Sequence, residues 1–187
     1  ALVITAGPWA ATLLADLQVP LRVERKVQHW FGIDPGCYRE TPCFLYEQAD
    51  GAFYGFPTLD GVTIKVAEHS GGEPVDDPAL VDRLCRPEDI APVAAFVRNA
   101  IAKASPLPLR HSVCMYTQSP DGHFLVDRHP QHGGVVYGAG FSGHGFKFTG
   151  ILGKALADLV IDGRTDLPIG FLRWPRHADG QHAAGAG

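Results

Sequence analysis

The sequence predicts an α+β fold, with α/β pieces at both ends of the chain and an antiparallel or mixed sheet between them. Three observations carry this. First, Val135-Val136-Tyr137-Gly138-Ala139 is an apolar β-type run, and it stops at the glycine-rich turn Gly140-Phe141-Ser142-Gly143-His144-Gly145-Phe146-Lys147-Phe148. An amphipathic helix pattern follows from about Thr149 to Ile161. Second, the opening residues follow the same order. Leu2 to Thr5 reads as a buried strand, Ala6-Gly7-Pro8 as a turn, and Trp9 to Leu17 as a short helix with Pro8 suited to its first turn. Third, the middle is rich in short aromatic and β-branched runs separated by turn residues.

Within that middle, Pro20 to Trp30 alternates as Leu21, Val23, Val27 and Trp30, a strand with an irregularity. Phe44-Leu45-Tyr46 and Ala52-Phe53-Tyr54-Gly55-Phe56-Pro57 flank Asp50-Gly51, a strong hairpin signal. Gly61 to Ala67 alternates as another strand, and Ser70 to Asp77 reads as loop. Pro78 to Leu84 is a helical turn or two. Pro87 to Ala104 is a helix with Ile90, Val93, Ala94, Val97 and Ile101 on one face. Pro106-Leu107-Pro108 breaks it. Arg110 to Tyr116 and Phe124 to Val126 are strands around the turn Ser119-Pro120-Asp121-Gly122, and His129 to Gly134 is a turn.

The bulk figures narrow the function classes. A chain of 187 residues with 45% hydrophobic content and a net charge of -4 is globular rather than disordered. No basic face stands out, so nucleic acid is not an expected partner. No apolar run reaches the roughly 18 residues needed to span a bilayer, so no membrane association is expected. The four cysteines (Cys37, Cys43, Cys85 and Cys114) lack Cys-x-x-Cys spacing, and the remaining histidines (His29, His111, His123, His129, His132, His177 and His182) read as surface or turn residues. No metal site is expected, and a reduced, cytoplasmic setting is. The chain opens directly on a strand, and the expectation is a piece of a larger fold. Residues 177–187, rich in Gly and Ala, are expected to be a flexible tail.

Four places could carry chemistry. A strand–glycine turn–helix unit leaves N–H groups unpaired at the positive end of a helix dipole, where an anion or an electron-rich ring edge can sit. His144 and Lys147 lie on that turn. Gly138-x-Gly140-x-x-Gly143 also matches the dinucleotide fingerprint, with Asp158 and Asp162 roughly 20 residues on. A complete unit needs a second strand after the helix, and Leu167 to Arg173 is short and proline-bounded, so a tight turn is the competing reading. Cys114, at a strand end, is either a buried filler or a thiolate nucleophile or anchor. Lys65, in Val62-Thr63-Ile64-Lys65-Val66, is either an exposed lysine or a cleft ammonium, and His69 shares its side of a strand.

Together these segments resemble the C-terminal half of the monomeric sarcosine oxidase and N-methyl-L-tryptophan oxidase family. Four stretches carry the resemblance: Val3-Ile4-Thr5-Ala6-Gly7-Pro8-Trp9-Ala10; Phe53-Tyr54-Gly55-Phe56-Pro57 with Ile64-Lys65 and His69; Cys114-Met115-Tyr116-Thr117 with Pro120-Asp121 and His123-Phe124; and Gly140 to Phe148. It runs from about residue 1 to 176. It implies a two-domain FAD-dependent oxidoreductase of the glutathione-reductase-like fold, with residues 1–16 and 121–176 in the FAD domain and 17–120 in the catalytic domain. It implies FAD held covalently through Cys114, with Met115, Gly143, His144, Gly145, Phe146 and Lys147 as further cofactor contacts. Lys65, His69 and His144 are implied as catalytic, and Lys147, Tyr54 and Tyr116 as substrate-binding. The implied partners are a small amino-acid substrate and O₂, with a monomer as the intact enzyme. The family's true Gly-x-Gly-x-x-Gly, its ribose acid and an arginine that shares the substrate carboxylate lie in an N-terminal half not represented here, so the piece alone is expected to be inactive. An FAD-dependent dehydrogenase or deaminating oxidase of another amino acid, and a non-catalytic association module, are the rival readings.

Overall fold

The computed structural model describes residues 1–175, and the expected flexible tail at 177–187, with His177 and His182, lies outside them. It is a mixed α/β structure that separates into two units: Val23–Tyr116, and Ala1–Arg22 together with the described residues from Thr117 on.

Val23–Tyr116 is built on a six-stranded sheet. Its strands are β2 (Arg22–Ile33), β3 (Phe44–Gln48), β4 (Gly51–Phe56), β5 (Thr63–Glu68), β6 (Glu73–Pro74) and β7 (Ala104–Gln118). They run β3-β4-β5-β2-β6, and β7 also pairs with β2. Helix α2 (Pro87–Ala100) covers one side. Alternation decides which residues meet it. Phe31, Ile33, Phe53, Ile64 and Val66 point to the helix and are buried with its Val93, Phe96 and Val97. Phe53 stacks on Phe96, with centroids 4.7 Å apart.

Polar groups fix the helix start. Asp89 accepts two of the Arg25 guanidinium bonds, at 2.7 and 3.0 Å, and the Arg86 N–H at 2.8 Å, while Arg25 also donates to the Asp82 and Leu84 carbonyls. Burial pushes the Asp89 carboxyl up, but the Arg25 bonds and the Arg86 N–H outweigh it and hold it below its usual range.

The second unit has a three-stranded sheet in the order β1 (Leu2–Ile4), β9 (Val135–Ala139), β8 (Leu125–Arg128). β1 is parallel to β9, and β8 is antiparallel to it. Helix α3 (Thr149–Ile161) packs one face through Leu152, Leu156 and Leu159 against Val126 and Val136. The opposite face, Leu125, Tyr137 and Ala139, packs Ala10, Leu14 and Leu17 from the short helix α1 (Ala10–Leu13) and the 3-10 turn after it.

Several expectations need correction. Among the described residues β1 is an edge strand with exposed Leu2 and Val3, where a buried strand was expected. β2 runs from Arg22 to Ile33, beyond the expected Trp30; its pairing with β5 is unbroken from Gln28 to Gly32, and Trp30 faces the side opposite Phe31. The β3–β4 turn is Ala49-Asp50, one residue earlier than expected, because Gln48 pairs with Gly51. Glu73–Pro74 within the expected loop pairs with Glu24 and Arg25 of β2. Residues 78–84 give only the 3-10 turn Pro78–Leu80. α2 stops at Ala100, and β7 then runs through Pro106 and Pro108. Proline is tolerated where a strand N–H need not pair. His29 is fully buried and donates through Nε2 to the Asp89 carbonyl at 3.0 Å, so it is not a surface residue. Among the described residues α3 is followed by a 3-10 turn (Gly170–Leu172) and no strand, so the glycine run is a turn and not the start of a dinucleotide unit.

Candidate active site

The side of the β4–β5–β2 sheet opposite α2 collects most of the candidates in Val23–Tyr116. Direct pairing puts Trp30 and Phe56 across from Lys65, and Gln28 and Tyr54 across from Ala67, so all of them share that side. The Lys65 ammonium lies 5.0 Å from the Phe56 ring centre, 5.7 Å from Trp30 and 6.0 Å from Tyr54. It is half-buried. Burial holds its pKa below the ordinary lysine value, with the Cys114 sulfur opposing. Rings offer an ammonium their negative faces without neutralising its charge.

Next to it, Cys114 and Tyr116 project from β7. The Cys114 sulfur accepts from Gln28 Nε2 at 3.1 Å. Burial raises the thiol pKa, while Gln28, Lys65 and Lys26 pull it the other way. Tyr54 and Tyr116 are hydrogen-bonded to each other, and burial raises both phenols. His69 Nδ1 is 3.4 Å from the Tyr116 hydroxyl, and its ring meets Tyr54 edge-on at 6.3 Å. Lys26 donates to the His69, Ser70 and Gly71 carbonyls, and its ammonium sits 5.0 Å from the Tyr116 ring centre. Desolvation lowers its pKa.

Of the residues named from sequence in this unit, Tyr54, Lys65, His69, Cys114 and Tyr116 therefore form one cluster. Met115 lies between Cys114 and Tyr116, and alternation sends its side chain to the opposite side of β7. Lys26, Gln28, Trp30 and Phe56 were missed. The even-numbered register of β2 (26, 28, 30) was the available signal.

The other unit holds the glycine hinge. Ser142 and Gly143 both have positive φ, 48° and 76°. At Gly145 a Cβ would fall 2.6 Å from Cβ of Phe141, so no larger residue fits without movement. The turn places the His144 ring on Phe124, 4.8 Å between centroids, and His144 Nδ1 donates to the Ser142 carbonyl at 3.0 Å. That bond leaves Nε2 as the free acceptor. Lys147 lies in the 3-10 turn Phe146–Phe148, which leads directly into α3, and no side chain caps that helix. His144, Lys147, His123, Phe148, Ile151 and Phe171 line a cavity of about 410 Å³. Phe146 is exposed.

Residues 1–159 match the model of the FAD dependent oxidoreductase family. The chain belongs to that family. It is 37% identical over 184 residues to monomeric sarcosine oxidase of Bacillus sp. (strain NS-129), a match covering 95% of this chain and 47% of that protein. Monomeric sarcosine oxidase of Streptomyces avermitilis is 40% identical over 178 residues, 91% of this chain and 46% of its own length. N-methyl-L-tryptophan oxidase of Salmonella typhi is 34% identical over 172 residues, covering 84% and 42%. The chain thus spans about half the length of the curated relatives it matches. Among solved structures, the open form of NikD, an unusual amino acid oxidase, aligns with a TM-score of 0.75 at 21% identity over 91% of this chain and 47% of that one. Glycine oxidase of Geobacillus kaustophilus aligns at 0.71, with 20% identity over 96% and 46%. These two establish the fold. Among the described residues no helix is long and apolar enough to cross a membrane.

Proposed function

We propose that the chain is the substrate-handling portion of a flavin oxidase that demethylates a secondary N-methyl amino acid such as sarcosine or N-methyltryptophan. The observation that carries this is Lys65. Among the described residues no carboxylate pairs with its ammonium, which lies half-buried among three aromatic rings beside a thiol. A charge held this way is useful where negative charge develops.

The donor set fits FAD. Cys114 offers a sulfur with an amide donor and two ammonium groups around it; burial raises the thiol pKa on balance, these groups oppose it, and the sulfur is the candidate for covalent attachment. The start of α3, which no side chain caps, lies at the positive end of the helix dipole and suits an electron-rich ring edge. When bound, FAD supplies the two-electron oxidation of the substrate and the passage of those electrons to O₂. The balance is R–NH–CH₃ + O₂ + H₂O giving R–NH₂, formaldehyde and H₂O₂.

The chain's own residues do the rest. Lys147 pairs with the substrate carboxylate. Within Val23–Tyr116, Tyr54 and Tyr116 shield the sheet face that carries Lys65 from water. His69 and His144 are the histidines assigned to catalysis, one in each unit, and the bond from His144 Nδ1 to the Ser142 carbonyl turns its Nε2 to the substrate side. Lys65 stabilises negative charge as O₂ is reduced. The reactive substrate is the neutral amine, so turnover rises with pH.

The test is a substrate panel on the chain at its relatives' full length, with peroxide release followed from sarcosine, N-methyltryptophan and glycine. Faster turnover of the N-methyl substrates, rising with pH, is expected. Turnover of glycine alone would assign the deaminating reading instead.

A further inference from the structure

We propose that Asp16, His129 and His132 form a binding site for a borderline divalent cation of the zinc type, clamping the 3-10 turn Ala15–Leu17 to the β8–β9 connection. The proposal is independent of the flavin reading. His129 Nε2 lies 3.0 Å from Asp16 Oδ2, and His132 Nε2 lies 3.7 Å from the same oxygen. One donor atom from each of the three residues lies within 4.8 Å of the others. Two ligand atoms about 2.0–2.1 Å from one zinc at tetrahedral angles are about 3.3 Å apart. The two measured separations bracket that value.

The residue types match as well. Two imidazoles and one carboxylate suit zinc, and the open fourth position falls to water. The supporting backbone is braced. The His129 N–H donates to the Val135 carbonyl at 2.8 Å, and the Val135 N–H donates to the His132 carbonyl at 2.8 Å. The rings therefore arrive together, with centroids 4.6 Å apart. His129 is buried, while Asp16 and His132 reach solvent, which gives the ion an entry path.

One contact opposes binding. The Gln131 N–H donates to His129 Nδ1, which puts the ring proton on Nε2, toward Asp16. Ligation moves that proton to Nδ1 and turns the Gln131 N–H out to solvent. At 3.3 Å the lost bond is weak. No sequence signal pointed here because Asp16 is more than a hundred residues from the His-x-x-His pair.

The experiment titrates zinc alone into the chelator-treated full chain by calorimetry, with Co²⁺ absorption and thermal melts alongside. One equivalent is expected, a Co²⁺ spectrum without thiolate charge transfer, and a zinc-dependent rise in melting temperature through linkage. His132→Ala and Asp16→Ala, both at exposed positions, should each weaken binding by more than about 10-fold, since loss of even an outer-shell partner costs that much. Both should also abolish the thermal shift. No binding at millimolar zinc, or binding unchanged in both variants, or a thiolate band that locates the ion at a cysteine, would overturn the proposal.

Discussion

The β4–β5–β2 sheet presents two unlike faces made from the same strands. Toward α2 it offers Phe31, Phe53, Ile64 and Val66, each nearly or wholly buried. Away from α2 it offers Lys26, Gln28, Trp30, Tyr54, Phe56, Lys65 and His69, with Cys114 and Tyr116 from β7 alongside. The first face removes apolar surface from water and keeps its shape by close packing. The second keeps two lysine ammonium groups in an aromatic setting at the cost of desolvating them. A sheet that alternates this sharply separates what holds the fold from what is available for chemistry. Substitutions on the two faces should therefore move different observables.

The sharpest way to break this comparison is Phe96→Ala. The ring stacks on Phe53 in the centre of the core, so about 3–5 kcal/mol of stability should be lost, read by chemical denaturation. Turnover per folded molecule should be unchanged. Lys65→Met should do the reverse. It removes a partly desolvated charge, so stability should hold or rise. Oxidation at the relatives' full length should slow by about 100-fold, measured as the O₂-dependent half-reaction. A comparable loss of stability in Lys65→Met would erase the distinction between the faces.

Asp89→Asn probes the polar clamp on the packed side, and about 2 kcal/mol should be lost because Arg25 is left with unmet donors. Here the sign with pH is fixed. The folded carboxyl titrates below its unfolded value of about 3.9, so its contribution is complete above that value. It is lost as pH falls through the folded value. Acid titration of stability should be flatter in the variant. The smallest effect is Cys114→Ser. Stability should change by less than about 1 kcal/mol. Acid precipitation should turn from a yellow to a colourless pellet if the flavin is attached there.

Much of this was legible in single stretches. The hairpin around Asp50, the helix faces of α2 and α3, and the strand before the glycine turn all follow from local period and turn chemistry, and they stand within a residue or a few of expectation. Lys65 and His69 were placed on one side of a strand by counting alone, and both reach Tyr54. What escaped was non-local. Val3 looked buried because it is apolar, yet β1 has a neighbour on one edge only among the described residues. The His29 ring looked polar and therefore external, yet a carbonyl of α2 meets it inside. β7 passes two prolines because its other edge need not pair there.

By itself, the sequence determined the periods, the turns and the chemical types on each strand, because these depend on neighbours within a few residues. Only the tertiary structure decided that Gln28 would meet Cys114 and that Asp16 would meet His129 and His132. Those pairings join segments far apart in the chain. They are set by which faces must be buried together, and no window of sequence contains both partners.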